Sequence, residues 1–218
     1  MDVILGNLDL WGRAIGNTLL VFFVGGAIAL VLGFVVGAMR VSPVPVARAV
    51  GTVYVNIIRN TPLTLVFFFF VFGYPVLGLP RLSNTVLGIL AIGIYTATYV
   101  AETLRAGIST VPVGQAEAAR AIGLPFGQVM TLIVLPQAFR SVVPPMMSVF
   151  IALLKNTTVA AGFSIAELAA LRATINDSYE RPGNPMEVLL WVAAVFVVLV
   201  LLMSWAQRYL ENRWRIAR

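Results

Sequence analysis

Long apolar runs separated by short polar segments dominate the pattern of hydrophobic and polar positions along the chain. A helix that crosses a bilayer needs about 20 consecutive, mostly apolar residues, and five runs reach that length. They extend from about Ile15 to Met39, Val50 to Phe72, Asn84 to Ala106, Ala138 to Gly162 and Val188 to Tyr209. The pattern therefore predicts an all-α membrane protein with about five transmembrane helices, in which residues 1–218 form a single transmembrane domain.

Two of these runs contain residues that interrupt helices. The segment Arg59-Asn60-Thr61-Pro62 breaks the second run, and Pro144-Pro145 lies inside the fourth. Because proline has no backbone N–H to donate, we expect irregular helix at both places. The connection at about 163–186 opens with Ser164-Ile165-Ala166-Glu167, a capping-box pattern that predicts a short helix to about Ile175.

Composition supports a membrane location and excludes several kinds of activity. Hydrophobic residues make up 60% of the 218 residues and charged residues 11%, whereas soluble domains carry about 25% charged residues. The net charge of +6 comes from basic residues scattered between apolar runs, so we predict no nucleic-acid partner. The chain has no Cys, no His and no recognisable nucleotide-hydrolysis or acyl-transfer motif, so we predict no catalytic residue and no metal site.

The distribution of arginines predicts the orientation in the membrane, because cytoplasmic loops are enriched in Lys and Arg. With the N-terminus outside, the cytoplasmic side receives a large set of arginines. These are Arg40, Arg48, Arg105, Arg120, Arg140, Arg208, Arg213, Arg215 and Arg218. The opposite side is richer in acidic residues, so the C-terminus is predicted to be cytoplasmic and the 163–186 connection external.

The segment that follows the third run carries the most informative motif. It reads Gln115-Ala116-Glu117-Ala118-Ala119-Arg120-Ala121-Ile122-Gly123, followed by nine residues and then Ile133-Val134-Leu135-Pro136. The alanine-rich stretch predicts a short helix with small side chains, on which Glu117 and Arg120 share one face. Gly123 permits the positive φ that often ends a helix.

This motif resembles the EAA loop of ABC importer permeases at every element and spacing. The resemblance implies a type I ABC importer permease fold, in which the loop at about 107–137 presents a cytoplasmic coupling helix to a nucleotide-binding subunit. The implied coupling residues are Gln115, Glu117, Ala118, Ala119, Arg120 and Gly123. The alternative is an inert amphipathic helix at the membrane surface.

Two further segments are similar to one class within that family. Arg59-Asn60-Thr61-Pro62-Leu63 resembles the R-x-T-P-L segment of polar amino-acid permeases, and Lys155-Asn156-Thr157-Thr158 resembles their K-[DN]-T-[ST] segment. The class imports histidine, glutamate, glutamine, arginine or opines, and the chain looks most like actinobacterial glutamate permeases.

That class implies a multi-pass protein of the bacterial plasma membrane. Its expected partners are a second permease chain, by family precedent a paralogue, two ABC ATPase subunits and an extracytoplasmic substrate-binding protein. ATP and Mg²⁺ would bind the ATPase, so no cofactor is expected on this chain and the chain is not itself an enzyme.

Ionisable residues inside the apolar runs are costly, about 2.5–3.5 kcal/mol each on insertion scales, so they should face protein or water. Arg59 and Glu102 are two of them, and we expect a structural Arg59–Glu102 or Glu102–Arg105 pair near a cytoplasmic gate. Lys155 is the third. It lies near mid-membrane if its helix starts after Pro144-Pro145, or near the outer surface if the helix starts earlier.

In the related fold, cavity residues come from the helices before and after the EAA loop. By position this implicates Thr96, Tyr99 and Asn156, to which we add Thr61, Lys155 and Thr157 as candidate substrate-pathway residues. Because Lys155 is the only lysine and a desolvated cation attracts a carboxylate, we expect an acidic amino acid, glutamate or aspartate.

A secondary transporter or channel and a membrane scaffold are the alternative functions. Five spans do not divide into two equal inverted repeats, which is the usual plan of secondary transporters, and the spans contain no chain of acidic residues for protons. A scaffold would leave the polar positions inside the membrane without a role.

Overall fold

The computed structural model describes residues 6–176 and 185–214, and all regular secondary structure in those ranges is helical. In chain order the helices are α1 Leu8–Val41, α2 Pro45–Asn60, α3 Leu63–Val76, α4 Asn84–Ser109, α5 Val113–Ala121, α6 Phe126–Phe163, α7 Leu171–Asn176 and α8 Pro185–Trp214. Helix α3 contains a π-helical stretch at Phe69–Gly73 and α6 contains another at Val129–Val134.

Four helices, α1, α4, α6 and α8, are long and apolar enough to cross a membrane. The pair α2 and α3 passes the same test together but bends by 101° at its break, so the second predicted run is a broken span and not one straight helix. Thr61 at the break is extended, with φ −85° and ψ 131°, because a residue that precedes proline avoids the helical region. The prediction of about five spans is confirmed, with this difference in the second.

Pro144 and Pro145 do not divide the fourth span, contrary to the irregularity expected there. They lie inside a regular α-helical stretch from Leu135 to Asn156, and the whole helix α6 begins at Phe126, well before the predicted start at Ala138. Membrane helices tolerate proline where neighbouring groups satisfy the freed carbonyls.

Glycine allows α1 and α4 to pack closely at the centre of the bundle. A Cβ atom on Gly33 would lie 2.5 Å from the Cβ of Val100, and one on Gly93 would lie 2.8 Å from a methyl group of Ile28. Small residues at such crossings let two backbones approach each other inside a membrane. Helix α6 packs against α4, and α8 packs against α6.

The two ends of the bundle differ in their connections. The EAA end holds Ser42–Val44 and the segment 110–125, and the distal end holds the connections 77–83 and 164–170. At the distal end the side-chain amide of Asn17 donates to the carbonyl of Ala166 at 2.6 Å, and the backbone N–H of Leu168 donates to the hydroxyl of Thr18 at 2.9 Å. These bonds attach the distal connection to α1.

A short helical segment follows the distal connection, as predicted, but Ser164 does not cap it. Ser164 is left-handed, with φ 59°, and the carboxylate of Glu167 accepts the N–H of Ala170 at 3.2 Å. Glu167 is thus the N-cap itself, and the helical residues run through a 3₁₀ turn, Leu168–Ala170, into α7.

Candidate functional site

The predicted coupling helix is present as α5, and its C-terminus has a well-defined hydrogen-bonding pattern. The N–H of Gly123 donates to the carbonyl of Arg120 at 2.9 Å, and the N–H of Leu124 donates to that of Ala119 at 3.1 Å. These two bonds form a Schellman motif, which requires the positive φ of 87° that Gly123 adopts. Gly123 therefore ends α5 for the reason expected from the sequence.

One face of α5 packs on the protein and the other is exposed. Ala116 and Ala119 contact an apolar cluster that includes Val111, Val129 and Val134. The other predicted coupling residues, Gln115, Glu117, Ala118, Arg120 and Gly123, are exposed. At the two ends of the helix Val113 and Ile122 expose 71% and 79% of their surface.

Two residues that the sequence did not single out attach this segment to α6. The side-chain N–H of Gln137 donates to the side-chain oxygen of Gln115 at 2.6 Å. One helical turn later, the hydroxyl of Ser141 lies 3.0 Å from the hydroxyl of Thr110, which precedes α5. The start of the coupling helix is therefore held on either side of the turn at Pro112.

A polar groove of about 420 Å³ lies between α4 and α6. Its polar lining comes from Tyr95, Thr96 and Tyr99 on α4 and from Ser148 and Asn156 on α6. The hydroxyls of Tyr95 and Tyr99 are 2.9 Å apart. The structure therefore brings together the three predicted residues Thr96, Tyr99 and Asn156, and Tyr95 and Ser148 are additions that their helical spacing from Tyr99 and Asn156 could have indicated.

Arg59 lies at this groove and not in the predicted pair with Glu102. Its guanidinium carbon is 5.3 Å from the ring centroid of Tyr99, a distance at which a cation and an aromatic face attract each other. The Arg59 side chain is exposed, and within the described part of the chain no carboxylate pairs with it.

Glu102 pairs with two other arginines. Its carboxylate contacts Arg40 from the last turn of α1 and accepts a hydrogen bond of 2.5 Å from Arg105 on its own helix. The Glu102–Arg105 alternative is therefore confirmed and the Arg59–Glu102 alternative is wrong. Arg40 was not foreseen as a partner because the predicted span ended at Met39, which placed Arg40 in a loop.

The remaining pathway candidates do not line the groove. Lys155 and Thr158 line a separate groove against α8, opposite residues about half-way along that helix, such as Val197. Thr157 is buried, and its hydroxyl donates to the carbonyl of Leu154 at 2.8 Å. Thr61 is half-buried at the bend after α2, and its hydroxyl donates to the carbonyl of Ile57 at 2.8 Å. The predicted cluster of Lys155 with Thr96 and Tyr99 is thus divided between two grooves, one against α4 and the other against α8.

Comparison with known families agrees with these features. The family described as binding-protein-dependent transport system inner membrane component matches residues 10–216. The chain belongs to this family. Membership covers almost all of the sequence, including α5 and both helices of the polar groove.

Individual relatives of this family member are amino-acid permeases. The glutamate transport system permease GluC of Corynebacterium glutamicum is 42% identical over 203 residues, which cover 87% of each chain. The probable glutamine ABC transporter permease GlnM of Bacillus subtilis is 36% identical and covers 98% of this chain and 97% of its own. The glutamate/aspartate import permease GltK of Escherichia coli is 33% identical over 85% of each chain.

Solved structures give the same fold. An amino acid ABC transporter crystallised with histidines superimposes with a TM-score of 0.88 at 27% identity, covering 96% of each chain. The inward-facing MetNI methionine transporter has a TM-score of 0.77 at 21% identity and covers 96% of this chain and 98% of its own, which shows the shared fold. This protein is therefore a membrane-spanning permease of an ABC importer for amino acids.

Proposed function

We propose that this permease translocates an acidic amino acid, glutamate or aspartate, into the cytoplasm, driven by ATP hydrolysis in a partner subunit. The observation that carries the choice of substrate is the position of Arg59 over the ring of Tyr99, which lines the polar groove. The hydroxyl and amide groups of Thr96, Tyr99 and Asn156 supply hydrogen-bonding partners for the rest of a small zwitterion.

The electrostatics of the groove favour an anion. No acidic residue is among those that line it in the described part of the chain, and Glu102 is already bonded to Arg40 and Arg105. An arginine inside the membrane needs an anionic partner or water, and its guanidinium matches a carboxylate in two-point geometry. A cationic amino acid would meet Arg59 without any opposite charge.

The exposed face of α5 supports docking of a nucleotide-binding subunit. Val113 and Ile122 supply apolar contact at its two ends, and Glu117 and Arg120 supply charge between them. Two such ATPase subunits would serve a pair of permeases, the second being a paralogue of this chain. An extracytoplasmic binding protein would deliver the substrate to the distal end.

Orientation is part of the same proposal. Arg48 in the first turn of α2, Arg120 in α5 and Arg140 in the first half of α6 lie toward the EAA end. By the positive-inside rule they support a cytoplasmic EAA end and an N-terminus outside. The nucleotide-binding subunit and α5 are then on the same side of the membrane.

Glutamine is the second candidate substrate, because one of the most similar relatives is a probable glutamine permease. Glutamine shares the α-carboxylate that Arg59 could bind and lacks the side-chain charge. Arg59 would therefore contribute to transport of either substrate, and a direct comparison of substrates is needed to distinguish them.

The test is uptake into proteoliposomes that contain the complete complex, with and without ATP and the binding protein. We expect ATP-dependent accumulation of glutamate and aspartate above that of glutamine, and little or no accumulation of arginine. Preferential uptake of glutamine would contradict the acidic substrate and identify glutamine as the substrate instead. Uptake that is independent of ATP would instead favour a secondary transporter or channel.

A further inference from the structure

The face of α6 that meets the coupling segment holds it at two points. Gln137 and Ser141 are four residues apart, so their side chains lie on one side of the helix, one turn from each other. Gln137 bonds to Gln115 in the first turn of α5, and Ser141 contacts Thr110 just before α5 begins. The two contacts therefore hold the segment 110–115 on either side of the turn at Pro112.

Both side chains of α6 are also fixed on their own helix. The amide of Gln137 donates to the carbonyl of Ile133 at 2.9 Å, and the hydroxyl of Ser141 donates to that of Ala138 at 2.8 Å. The hydroxyl of Thr110 has one proton, which it donates to the hydroxyl oxygen of Ser141 at 3.0 Å; the carbonyl of Gly107, 2.7 Å away, is the competing acceptor. Side chains anchored in this way lose little further conformational freedom when they hold the loop.

These contacts differ in kind from the apolar packing below them. Ala116 and Ala119 rest on Val129 and Val134, and apolar contact of this sort has no preferred direction. Hydrogen bonds depend on distance and angle, so the Gln137–Gln115 bond fixes where α5 lies along α6. A displacement of α5 along α6 would therefore either break this bond or move α6 with it.

The same face of α6 continues to the polar groove. Gln137, Ser141, Ser148 and Asn156 fall within an arc of about 100° when placed at 3.6 residues per turn, and Gln137 and Asn156 are about 28 Å apart along the axis. The π-helical stretch ends at Val134, so all four residues belong to one α-helical stretch, Leu135–Asn156. One helix thus connects the coupling segment to two groove residues.

We propose that Gln137 and Ser141 are positioning residues that clamp the coupling helix to α6, so that movement of α5 is passed to Ser148 and Asn156 in the groove. This proposal rests on the proposed function, because it needs an ATPase subunit that moves α5. It adds to the EAA residues two side chains that lie outside the motif.

The decisive measurement is the number of amino acids transported per ATP hydrolysed in the complete reconstituted complex. In Gln137→Leu, which keeps the side-chain volume and removes the amide, we expect this ratio to fall about 2- to 10-fold, the range of a single lost hydrogen bond. Gln128→Leu is the matched control, because Gln128 is an exposed glutamine near the start of the same helix, and its ratio should equal that of the wild type.

Two further variants separate the bond from general damage. Gln115→Leu combined with Gln137→Leu should lower the ratio no more than either single change, because both remove one interaction. Gln137→Glu should recover most of the ratio, because the amide of Gln115 can turn and donate to the new carboxylate.

A merely structural role for Gln137 would lower the amount of assembled complex and leave the ratio unchanged. That result, in a preparation whose wild-type complex transports in an ATP-dependent manner, would overturn the clamp and leave the proposed function intact. Additive effects of the Gln115 and Gln137 changes would also overturn it. Absence of ATP-driven uptake by the wild type would overturn the proposed function, and the clamp with it.

Discussion

Arg59 and Lys155 are the two cations whose surroundings bear most directly on the substrate. Arg59 contacts an aromatic ring that lines the polar groove, whereas Lys155 lines a different groove with Thr158 and apolar residues of α8. Lone cations at membrane depth are costly, so each needs an anion or water. Of the two, Arg59 is the one that contacts a residue of the polar groove, Tyr99.

We predict that Arg59→Met lowers the apparent affinity for glutamate by about tenfold or more, since a charged hydrogen bond contributes about 1.5–3 kcal/mol. Lys155→Met should have a smaller effect on glutamate transport. The measurement is the concentration dependence of uptake for both variants, with insertion and basal ATP hydrolysis as controls. A larger effect of Lys155→Met would indicate that Lys155 binds the substrate carboxylate, as the sequence alone suggested.

Single residues also show why part of this site was predictable and part was not. Thr96, Tyr99 and Asn156 could be brought together because, in the fold that the sequence resembles, cavity residues come from the helices before and after the EAA loop, and all three line one groove in the structure. Arg40, the second partner of Glu102, could not be assigned, because this pairing depends on where α1 ends and on how α1 crosses α4. Hydropathy marked the end at Met39, but the helix continues to Val41 and presents Arg40 inward.

At the scale of elements, α5 depends on the backbone conformation of Gly123. An L-residue pays about 1–2 kcal/mol for a left-handed conformation, and the position has open space around it, so steric clash does not contribute. A substitution at position 123 therefore acts through the energetic cost of the left-handed conformation.

Gly123→Ala is therefore predicted to fray the C-terminus of α5 and to reduce substrate-stimulated ATP hydrolysis several-fold, while the protein still inserts in the membrane. Gly127→Ala is the matched control, because Gly127 also has open space and does not have a positive φ. Copurification of the ATPase subunit and its stimulated hydrolysis are the measurements. Equal behaviour of the two variants would show that the left-handed turn is not needed for coupling.

The distal connection contains a buried carboxyl group, that of Glu167, whose pKa can be tested. Burial raises the pKa of Glu167 from 4.5 to about 7, and hydrogen bonds from backbone N–H groups only partly oppose this shift. Because the folded-state pKa is the higher one, the stability that this group contributes is complete below about pH 4.5 and is lost as the pH rises through about 7.

We expect amide hydrogen exchange at residues 166–170, corrected for its intrinsic pH dependence, to show weaker protection at about pH 8.5 than at about pH 5.5. Glu167→Gln should make the protection independent of pH over this range, because an amide does not ionise. Stronger protection at the higher pH in the wild type would contradict the assignment.

Element by element, the structure also explains which boundaries the sequence could supply. The break at Thr61-Pro62 was visible because proline acts on its immediate neighbours, although this local rule does not give the size of the bend, which is 101°. The regular helix through Pro144-Pro145 was not visible, because the local rule for proline takes no account of the packing of α6 against α4. Glu167 replaced Ser164 as the cap because Ser164 adopts a left-handed turn, which no spacing rule indicates.

For the whole molecule, the arrangement of its two ends carries the functional argument. The EAA end combines an exposed coupling helix with the ion-paired Arg40, Glu102 and Arg105, and the distal end is fastened through Asn17 and Thr18 to α1. The groove lies between them, with α4 and α6 as its walls. A transporter of this design works only if the EAA end faces the compartment that contains the ATPase.

The orientation can be tested directly because the chain has no native cysteine. A cysteine introduced at Ser42 or at Gln128 lies at the EAA end, so in intact cells it should be protected from a membrane-impermeant thiol reagent. A cysteine at the exposed Arg81, in the connection of the distal end, should be labelled. A cysteine at Ser178 should also be labelled by the sequence argument, although this position lies outside the described residues.

Permeabilised cells are the control, in which all four positions should react. Labelling of Ser42 and Gln128 with protection of Arg81 in intact cells would invert the topology, place α5 away from the ATPase and remove the basis for coupling through this helix.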